Sequence, residues 1–322
     1  MAAALGTATT PAAAAPVAPR GFSSHPRRHR VAARRGRTAS PGGLLRASVS
    51  PAETAEEAVA EPLVEAVQAD SESKLSKLAC PICYYPLAAS SSDQSALECS
   101  TCKKVYPNKQ DYWDLTVAVG SSEYSESMPA ATEVFRTPLF ETAKTYLKPT
   151  IGGTIVDASC GSGLFSRLFV KSELYSLVVA LDFSENMLKQ CNEFVSQENI
   201  STERLALVRA DISRLPFVSG SIDAVHAGAA IHCWPSPACA VAEISRVLRP
   251  GGVFVASTFI VDILPPAIPI LQIARPYISQ ITGNNTFLSE AELEDLCRAC
   301  GLVDFTVVRN GFYIMFSATK AS

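Results

Sequence analysis

The stretch from Thr154 to Gly163 constrains the fold of this 322-residue chain more than any other. An apolar β-run ends there at Asp157 and breaks into a turn of small residues, which lets a ligand lie against bare backbone. A second apolar run, residues 177–181, ends at Asp182, and a helix begins soon after it. The order strand, glycine turn, helix, strand and acid predicts a nucleoside-binding βαβ unit.

The charge of the turn separates two classes of nucleoside cofactor. A dinucleotide brings a pyrophosphate to the helix N-terminus and favours the full G-x-G-x-x-G pattern. Here only Gly161 and Gly163 are glycine, and serines hold the flanking places. Asp157 would repel two phosphates, whereas it would attract the ammonium and sulfonium groups of S-adenosylmethionine. The turn therefore favours the cationic cofactor, although an Asx hydrogen bond within the turn would also explain Asp157.

Further strands and helices follow in alternation. Residues 205–208 and 221–225 are strand-like, and Asp211 follows the first of them. A carboxylate there can accept a hydrogen bond from an adenine amino group while the next backbone N–H donates to the ring. Apolar spacing predicts a helix over 238–248, and a last helix, begun at Ser289, would carry Cys297 on its inner face.

The chain closely resembles the class I S-adenosylmethionine-dependent methyltransferases, in particular the branch that is similar to the quinone-biosynthesis methyltransferases of plastids. Four blocks carry the resemblance in the family's order: 155–163, 180–188, 209–217 and 243–252. The similarity covers residue 131 to the C-terminus. It implies a Rossmann-like α/β fold with a seven-stranded sheet, helices on both faces and the cofactor across the carboxyl ends of the strands.

The same resemblance assigns eight residues to the cofactor: Asp157, Ser159, Gly161, Gly163, Asp182, Phe183, Asp211 and Ile212. Asp157 would bind the methionine amino group, Asp182 both ribose hydroxyls and Phe183 one face of adenine. Asp211 with its neighbour would hold the adenine edge, and the glycines would allow close backbone approach. The family usually has glycine where this chain has Ser159, and a serine narrows the turn.

Four cysteines form a second pattern upstream, C-x2-C-x15-C-x2-C, at Cys80, Cys83, Cys99 and Cys102. Zinc needs four soft ligands in a tetrahedron, and two such knuckles on facing hairpins provide them. Because a closed shell of thiolates leaves no position for a reacting water, the metal would be structural. Two disulfides or four free thiols are the alternatives. Residues 78–115 resemble the small zinc ribbons that precede some ribosomal-RNA guanine methyltransferases.

Composition divides the rest of the chain. Residues 1–50 contain eight arginines, no lysine and no acidic residue, which is typical of a disordered organelle transit peptide; a basic arm that binds nucleic acid is the alternative. We then expect an acidic linker over 51–77, the zinc ribbon over 78–115 and the methyltransferase domain over 131–322. Likeness to plastid methyltransferases favours the chloroplast, with plastoglobule association as the finer prediction.

Charge and hydropathy limit the partners. Residues 51–322 carry 20 basic and 31 acidic side chains, a net charge of −11, which does not favour DNA or RNA. No run of eighteen apolar residues predicts a transmembrane helix. The apolar run 263–274 would suit a lid over a lipid-like acceptor, peripheral contact with a lipid surface, or a helix packed on the sheet.

The sequence does not single out one catalytic base. His226 and His232 are the candidates, since both follow the predicted fourth strand, and structural hydrogen bonding is the alternative for each. The sequence thus predicts a plastid S-adenosylmethionine-dependent methyltransferase that acts on a small, lipid-like or quinone-type acceptor. A ribosomal-RNA base methyltransferase and a non-catalytic cofactor-binding scaffold remain alternatives.

Overall fold

The computed structural model describes residues 74–91, 93, 95–117, 131–260 and 286–322, with only the backbone of 131–136. The predicted transit peptide, most of the acidic linker and the apolar run 263–274 lie outside the described residues. Among the helices that are described, none combines the length and the apolar character needed to cross a bilayer.

Eleven strands and five α-helices lie in the described part of the chain. The strands are β1 Leu87–Ala89, β2 Ala96–Cys99, β3 Val105–Pro107, β4 Trp113–Asp114, β5 Thr154–Ala158, β6 Leu177–Asp182, β7 Leu205–Arg209, β8 Ile222–Ala227, β9 Leu248–Phe259, β10 Leu302–Asn310 and β11 Tyr313–Lys320. The helices are α1 Ala131–Leu147, α2 Leu164–Ser172, α3 Glu185–Gln197, α4 Pro237–Val247 and α5 Glu290–Ala299. Two short 3-10 turns lie at Lys148–Thr150 and Ile231–Cys233.

The large sheet has the strand order β10-β11-β9-β8-β5-β6-β7-β4. The six adjacent strands β9-β8-β5-β6-β7-β4 are parallel to one another, and β11 is antiparallel to both of its neighbours, β9 and β10. The predicted Rossmann-like α/β sheet is therefore confirmed, and its seven strands are β5 to β11. The sequence did not predict the eighth strand, in which Trp113 and Asp114 extend the edge of the sheet beside β7.

The core lies on both faces of this sheet. In β5, Ile155 belongs to the apolar cluster on one face and Val156 to the cluster on the other, as alternation along a strand requires. Every residue of β5 is buried, which is the pattern of a central parallel strand with helices on both sides.

Local signals begin the helices that connect the strands. The hydroxyl of Ser184 accepts from the backbone N–H of Met187 at the start of α3. Ser289 and Glu292 form a reciprocal capping box at the start of α5, where the sequence predicts a helix, and Cys297 of that helix is buried. The helix predicted over 238–248 is α4 and is displaced by one residue.

Residues 74–117, which we call the ribbon segment, form a small sheet, β1-β2-β3, and then add β4 to the large sheet. The segment also forms an antiparallel bridge between Leu78 and Phe217. Around that bridge Ala79 N–H donates to Pro216 O over 2.8 Å, and Val218 N–H donates to Lys77 O over 3.1 Å. Apolar side chains of the segment belong to the same cluster as the sheet, so the two share one core.

Candidate cofactor site

The glycine turn lies at the carboxyl end of β5 and has an unusual backbone. Ser159, Gly161 and Gly163 all have left-handed φ values, +58°, +55° and +76°. This backbone conformation is unfavourable for a serine. The hydroxyl of Ser159 accepts a hydrogen bond of 2.9 Å from the indole Nε1 of Trp234, which holds the serine side chain in place.

The two glycines of the turn meet different surroundings. A Cβ atom built on Gly161 has no atom within 4 Å, so the space beside this residue is open to a ligand. A Cβ atom on Gly163 would overlap the Sγ atom of Cys191 in α3. Gly163 is therefore required for helix packing, and Gly161 leaves room for a bound molecule.

Asp182 connects the end of β6 to this turn. One carboxylate oxygen accepts from Gly161 N–H at 2.9 Å, and the other accepts from Ser184 N–H at 2.8 Å. Since each oxygen can accept two hydrogen bonds, the carboxylate keeps capacity for a further donor, such as a ribose hydroxyl. Burial raises the pKa of Asp182, and the backbone hydrogen bonds from Ser184, Gly161 and Phe183 oppose that rise by favouring the ionised form.

Phe183 and Asp211 line the same cavity, which has a volume of about 250 Å³. One oxygen of Asp211 accepts from the backbone N–H and the hydroxyl of Ser213, at 2.8 and 2.7 Å. The other oxygen has no hydrogen-bond donor among the described residues. Ile212, the second residue predicted for the adenine edge, is buried.

Asp157 is more enclosed than the sequence suggests. The side chain is 2% exposed. One oxygen accepts from the hydroxyl of Ser166 at 2.5 Å, and the other lies 2.8 Å from Nδ1 of His226. Because protein groups engage both oxygens, direct contact with a methionine amino group stays a prediction. The pairing of Asp157 with His226 was missed, since it requires knowing that β5 and β8 are neighbours.

The two histidine candidates have different environments. His226 is fully buried, with its ring 4.4 Å from the ring of Phe165 and 5.4 Å from that of Phe169. Its Nε2 atom has no partner among the described groups. An acceptor could not reach this ring without moving the two phenylalanines.

His232 lies beyond the end of β8, beside the carboxyl end of β9. Its Nδ1 atom is 3.2 Å from the hydroxyl oxygen of Thr258, and its ring is stacked on that of Phe287, with the centroids 5.6 Å apart and the planes at 8°. Phe259 meets the imidazole edge-on at 5.4 Å and also contacts Tyr313 at 5.3 Å. Burial lowers the pKa of His232, so the ring is neutral at pH 7.

The structure brings the four cysteines of the ribbon segment together, as the spacing predicts. The Sγ atoms of Cys80, Cys83, Cys99 and Cys102 all lie within 4.8 Å of one another. The Cys83–Cys99 and Cys80–Cys102 sulfur pairs are 3.3 and 3.6 Å apart. A tetrahedral zinc site with Zn–S bonds of about 2.3 Å places sulfurs about 3.8 Å apart, whereas a disulfide bond measures about 2.05 Å.

The donor set therefore fits a metal better than two disulfides. Tyr106 adds a hydroxyl 3.1 Å from Cys80 Sγ. Burial opposes ionisation of Cys80, but hydrogen bonds from Tyr106 and from backbone N–H groups outweigh it and lower the pKa of the thiol to about 7. Such a thiol readily supplies the thiolate that a metal requires.

Comparisons with known proteins agree with this site. A family model described as "Methyltransferase domain" matches residues 156–256. An uncharacterized chloroplastic methyltransferase of Arabidopsis thaliana is 56% identical over 280 residues, which cover 76% of this chain and 79% of that protein. A malonyl-[acyl-carrier protein] O-methyltransferase of Enterobacter lignolyticus is 33% identical over 140 residues, 44% of this chain and 51% of that protein.

A demethylmenaquinone methyltransferase of Lactiplantibacillus plantarum is 35% identical over 98 residues, 30% of this chain and 41% of that protein. The similarities to the Enterobacter and Lactiplantibacillus proteins are shorter than the similarity to the Arabidopsis protein, and the names of these two proteins indicate different methyl acceptors. The Arabidopsis similarity extends over most of both chains. With the strand order and the glycine turn, it shows that this chain belongs to the class I S-adenosylmethionine-dependent methyltransferases.

Proposed function

We propose that this protein is a plastid enzyme that transfers the methyl group of S-adenosylmethionine to a small, quinone-type or lipid-like aromatic acceptor. Two observations support localisation in the plastid. The first fifty residues are rich in arginine and free of acidic residues, and the Arabidopsis relative is named as chloroplastic.

The arrangement of Asp182 carries the cofactor part of the proposal. Its carboxylate accepts hydrogen bonds from the backbone N–H groups of Gly161 and Ser184, and the space beside Gly161 is open. We assign the ribose hydroxyls to this carboxylate, and the adenine ring to the cavity beside Phe183 and Asp211. The methionine part would then follow the turn toward Ser159 and Asp157, where the buried carboxylate adds a favourable negative charge.

The acceptor is assigned from the aromatic surface around His232. Phe259 and Phe287 contact this histidine near the carboxyl ends of β8 and β9, and Tyr313 contacts Phe259 in turn. Flat aromatic molecules pack favourably against such rings. The likeness to a demethylmenaquinone methyltransferase supports the same class of acceptor.

The proposed chemistry uses few protein groups. When bound, S-adenosylmethionine supplies an electrophilic methyl group on a sulfonium sulfur. The neutral ring of His232 accepts the proton of the acceptor, whose freed electron pair forms the new bond to the methyl carbon. The bound cofactor would supply the leaving group for this step, since its carbon–sulfur bond would break with the electrons left on sulfur and S-adenosylhomocysteine would be the product. The site otherwise contributes alignment of the two reactants, which supplies much of the rate in such reactions.

Two measurements on the full-length chain test this proposal. Isothermal titration should detect S-adenosylhomocysteine binding, and absence of binding would refute the cofactor assignment. Incubation of a plastid extract with methyl-labelled S-adenosylmethionine should then place the label in small, organic-soluble aromatic compounds. Label in ribosomal RNA or in acyl carrier protein would refute the acceptor class.

Association with plastoglobules or another lipid surface stays a prediction from the apolar run 263–274. It would be tested by cosedimentation with vesicles of plastid lipids. Substitution of Ile268→Asp with Ile270→Asp should abolish retention, because each change places a charge in the apolar run. Retention equal to that of the native chain would exclude this run as the contact.

A further inference from the structure

The cavity of about 250 Å³ beside Phe183 lies between two parts of the chain that are distant in sequence. Three of its six lining residues follow strands of the large sheet, and three belong to the ribbon segment. The former are Phe183, after β6, and Asp211 and Arg214, after β7; the latter are Pro81, Leu115 and Val117. The zinc-ribbon resemblance alone gives no reason for the ribbon segment to lie at this place.

The first connection between the ribbon segment and this wall is Pro81. Pro81 lies between Cys80 and Cys83, inside the first cysteine knuckle, and it is buried. Its carbonyl oxygen accepts from a guanidinium nitrogen of Arg214 at 3.3 Å. The position of this part of the wall therefore depends on the conformation of the knuckle.

The second connection is an ionic one through Asp114. A carboxylate oxygen of Asp114 lies 3.2 Å from Nη1 of Arg209 and 3.1 Å from Nζ of Lys109. Nε of Arg209 in turn donates to the carbonyl oxygen of Phe183 at 3.0 Å, and the guanidinium lies 5.7 Å from the centre of the Phe183 ring. The residue assigned to the adenine face is thus held from the ribbon segment as well.

We infer that the ribbon segment forms the outer wall of the adenine pocket, so that affinity for the adenosyl group depends on the metal state of the four-cysteine site. This inference rests on the proposed cofactor assignment and extends it to Pro81, Leu115 and Val117 as positioning residues. Loss of the metal frees the four thiols, and the first knuckle with Pro81 loses its fixed geometry. The wall then moves away from Phe183 and Asp211, and the adenine ring loses contacts on one face.

The experiment measures the dissociation constant of S-adenosylhomocysteine by isothermal titration on the full-length chain, with metal content from elemental analysis. The zinc-loaded protein is compared with protein stripped by a chelator, and with stripped protein reloaded with Zn²⁺. We expect stripping to raise the dissociation constant at least tenfold and reloading to restore it.

A pair of substitutions tests the wall without removing the metal. Val117→Trp should fill the cavity and raise the dissociation constant at least tenfold, with the zinc content unchanged. Ile82→Trp is the matched control, since Ile82 is 41% exposed, close to the 39% of Val117, and lies in the same knuckle as Pro81 without lining the cavity. We expect this control to stay within twofold of the native value.

The outcomes separate the two proposals. Unchanged affinity in Val117→Trp, or unchanged affinity after metal removal, would overturn the inference while the cofactor assignment stands. Failure of the native, zinc-loaded protein to bind S-adenosylhomocysteine would refute the cofactor assignment itself. A thermal melt of each sample checks that the large sheet is still folded.

Discussion

Replacing Ser159 with glycine would test how this turn tolerates a serine in the left-handed conformation. The residue has φ +58°, and its hydroxyl accepts from Nε1 of Trp234, a side chain that is 3% exposed. Ser159→Gly therefore removes two opposite effects at once, a backbone strain and a buried hydrogen bond. The same change in a Trp234→Phe background removes the strain alone, because phenylalanine has no N–H to satisfy.

The magnitudes follow from these two contacts. Relief of the left-handed strain at Ser159 raises the free energy of unfolding by about 1–2 kcal/mol. The greater freedom of glycine in the unfolded chain lowers it again by about 0.5–1 kcal/mol. Leaving the indole N–H without an acceptor costs about 1–3 kcal/mol. We expect Ser159→Gly to lower the free energy of unfolding by about 1 kcal/mol in the native chain and to raise it by about 0.5–1 kcal/mol in Trp234→Phe.

Urea denaturation of the native chain, both single variants and the double variant measures the coupling. The cost of replacing the indole itself is common to both arms and cancels. A coupling energy of about 1–3 kcal/mol is expected. Equal effects of Ser159→Gly in the two backgrounds would show that the hydrogen bond contributes nothing, and destabilisation in both would show that the serine is not strained.

Four further predictions concern the glycine turn, His232 and the four-cysteine site. Gly163→Ala should lower the free energy of unfolding by about 2–5 kcal/mol through strain and overlap with Cys191, and addition of Cys191→Ala should recover the overlap share; no recovery in denaturation experiments would contradict that packing. His232→Gln should reduce turnover about 10²–10⁴-fold with unchanged affinity for S-adenosylhomocysteine, and equal losses of both would argue against a base. Burial lowers the pKa of His232 and so favours its neutral form in the folded chain. The free energy of unfolding should therefore be highest above the ordinary pKa of 6.5 and should fall as the pH drops below it, because the unfolded chain then binds the proton more readily. For the same reason, the acid limb of the rate profile should lie below pH 6.5. Removal of the metal should lower the melting temperature of the full-length chain, and a scan unchanged by chelation would exclude a structural metal.

The elements around the turn could be predicted because each has a local signal. The apolar run that becomes β5 and the serine caps at Ser184 and Ser289 depend on residues within a few positions of one another. The strand β4 has no such signal. Two residues, Trp113 and Asp114, are too few to show alternation, and they form a strand only because the edge of β7 offers partners.

The candidate site divides in the same way. Asp182 and Asp211 could be placed at strand ends from the pattern of the chain alone. The partners of Asp157 and Ser159 could not, since His226 and Trp234 lie 69 and 75 residues further along the sequence. Which carboxylate faces a ligand and which is held by a histidine depends on strand neighbours, and the order of strands is a tertiary property.

The orientation of the ribbon segment favours a structural brace over a reader of nucleic acid. Nucleic-acid binding needs an excess of basic side chains to neutralise phosphates, whereas residues 51–322 have a net charge of −11. Pro81 of the first knuckle is buried, and its carbonyl oxygen accepts from Arg214. β4 also covers the backbone of β7, which would otherwise be an open edge prone to pairing with other chains. Because Leu78 packs in the same core cluster as Phe217, release of the ribbon segment would expose apolar surface on both sides. The ribbon segment and the sheet should therefore unfold together, which makes the four cysteines part of the stability of the cofactor site.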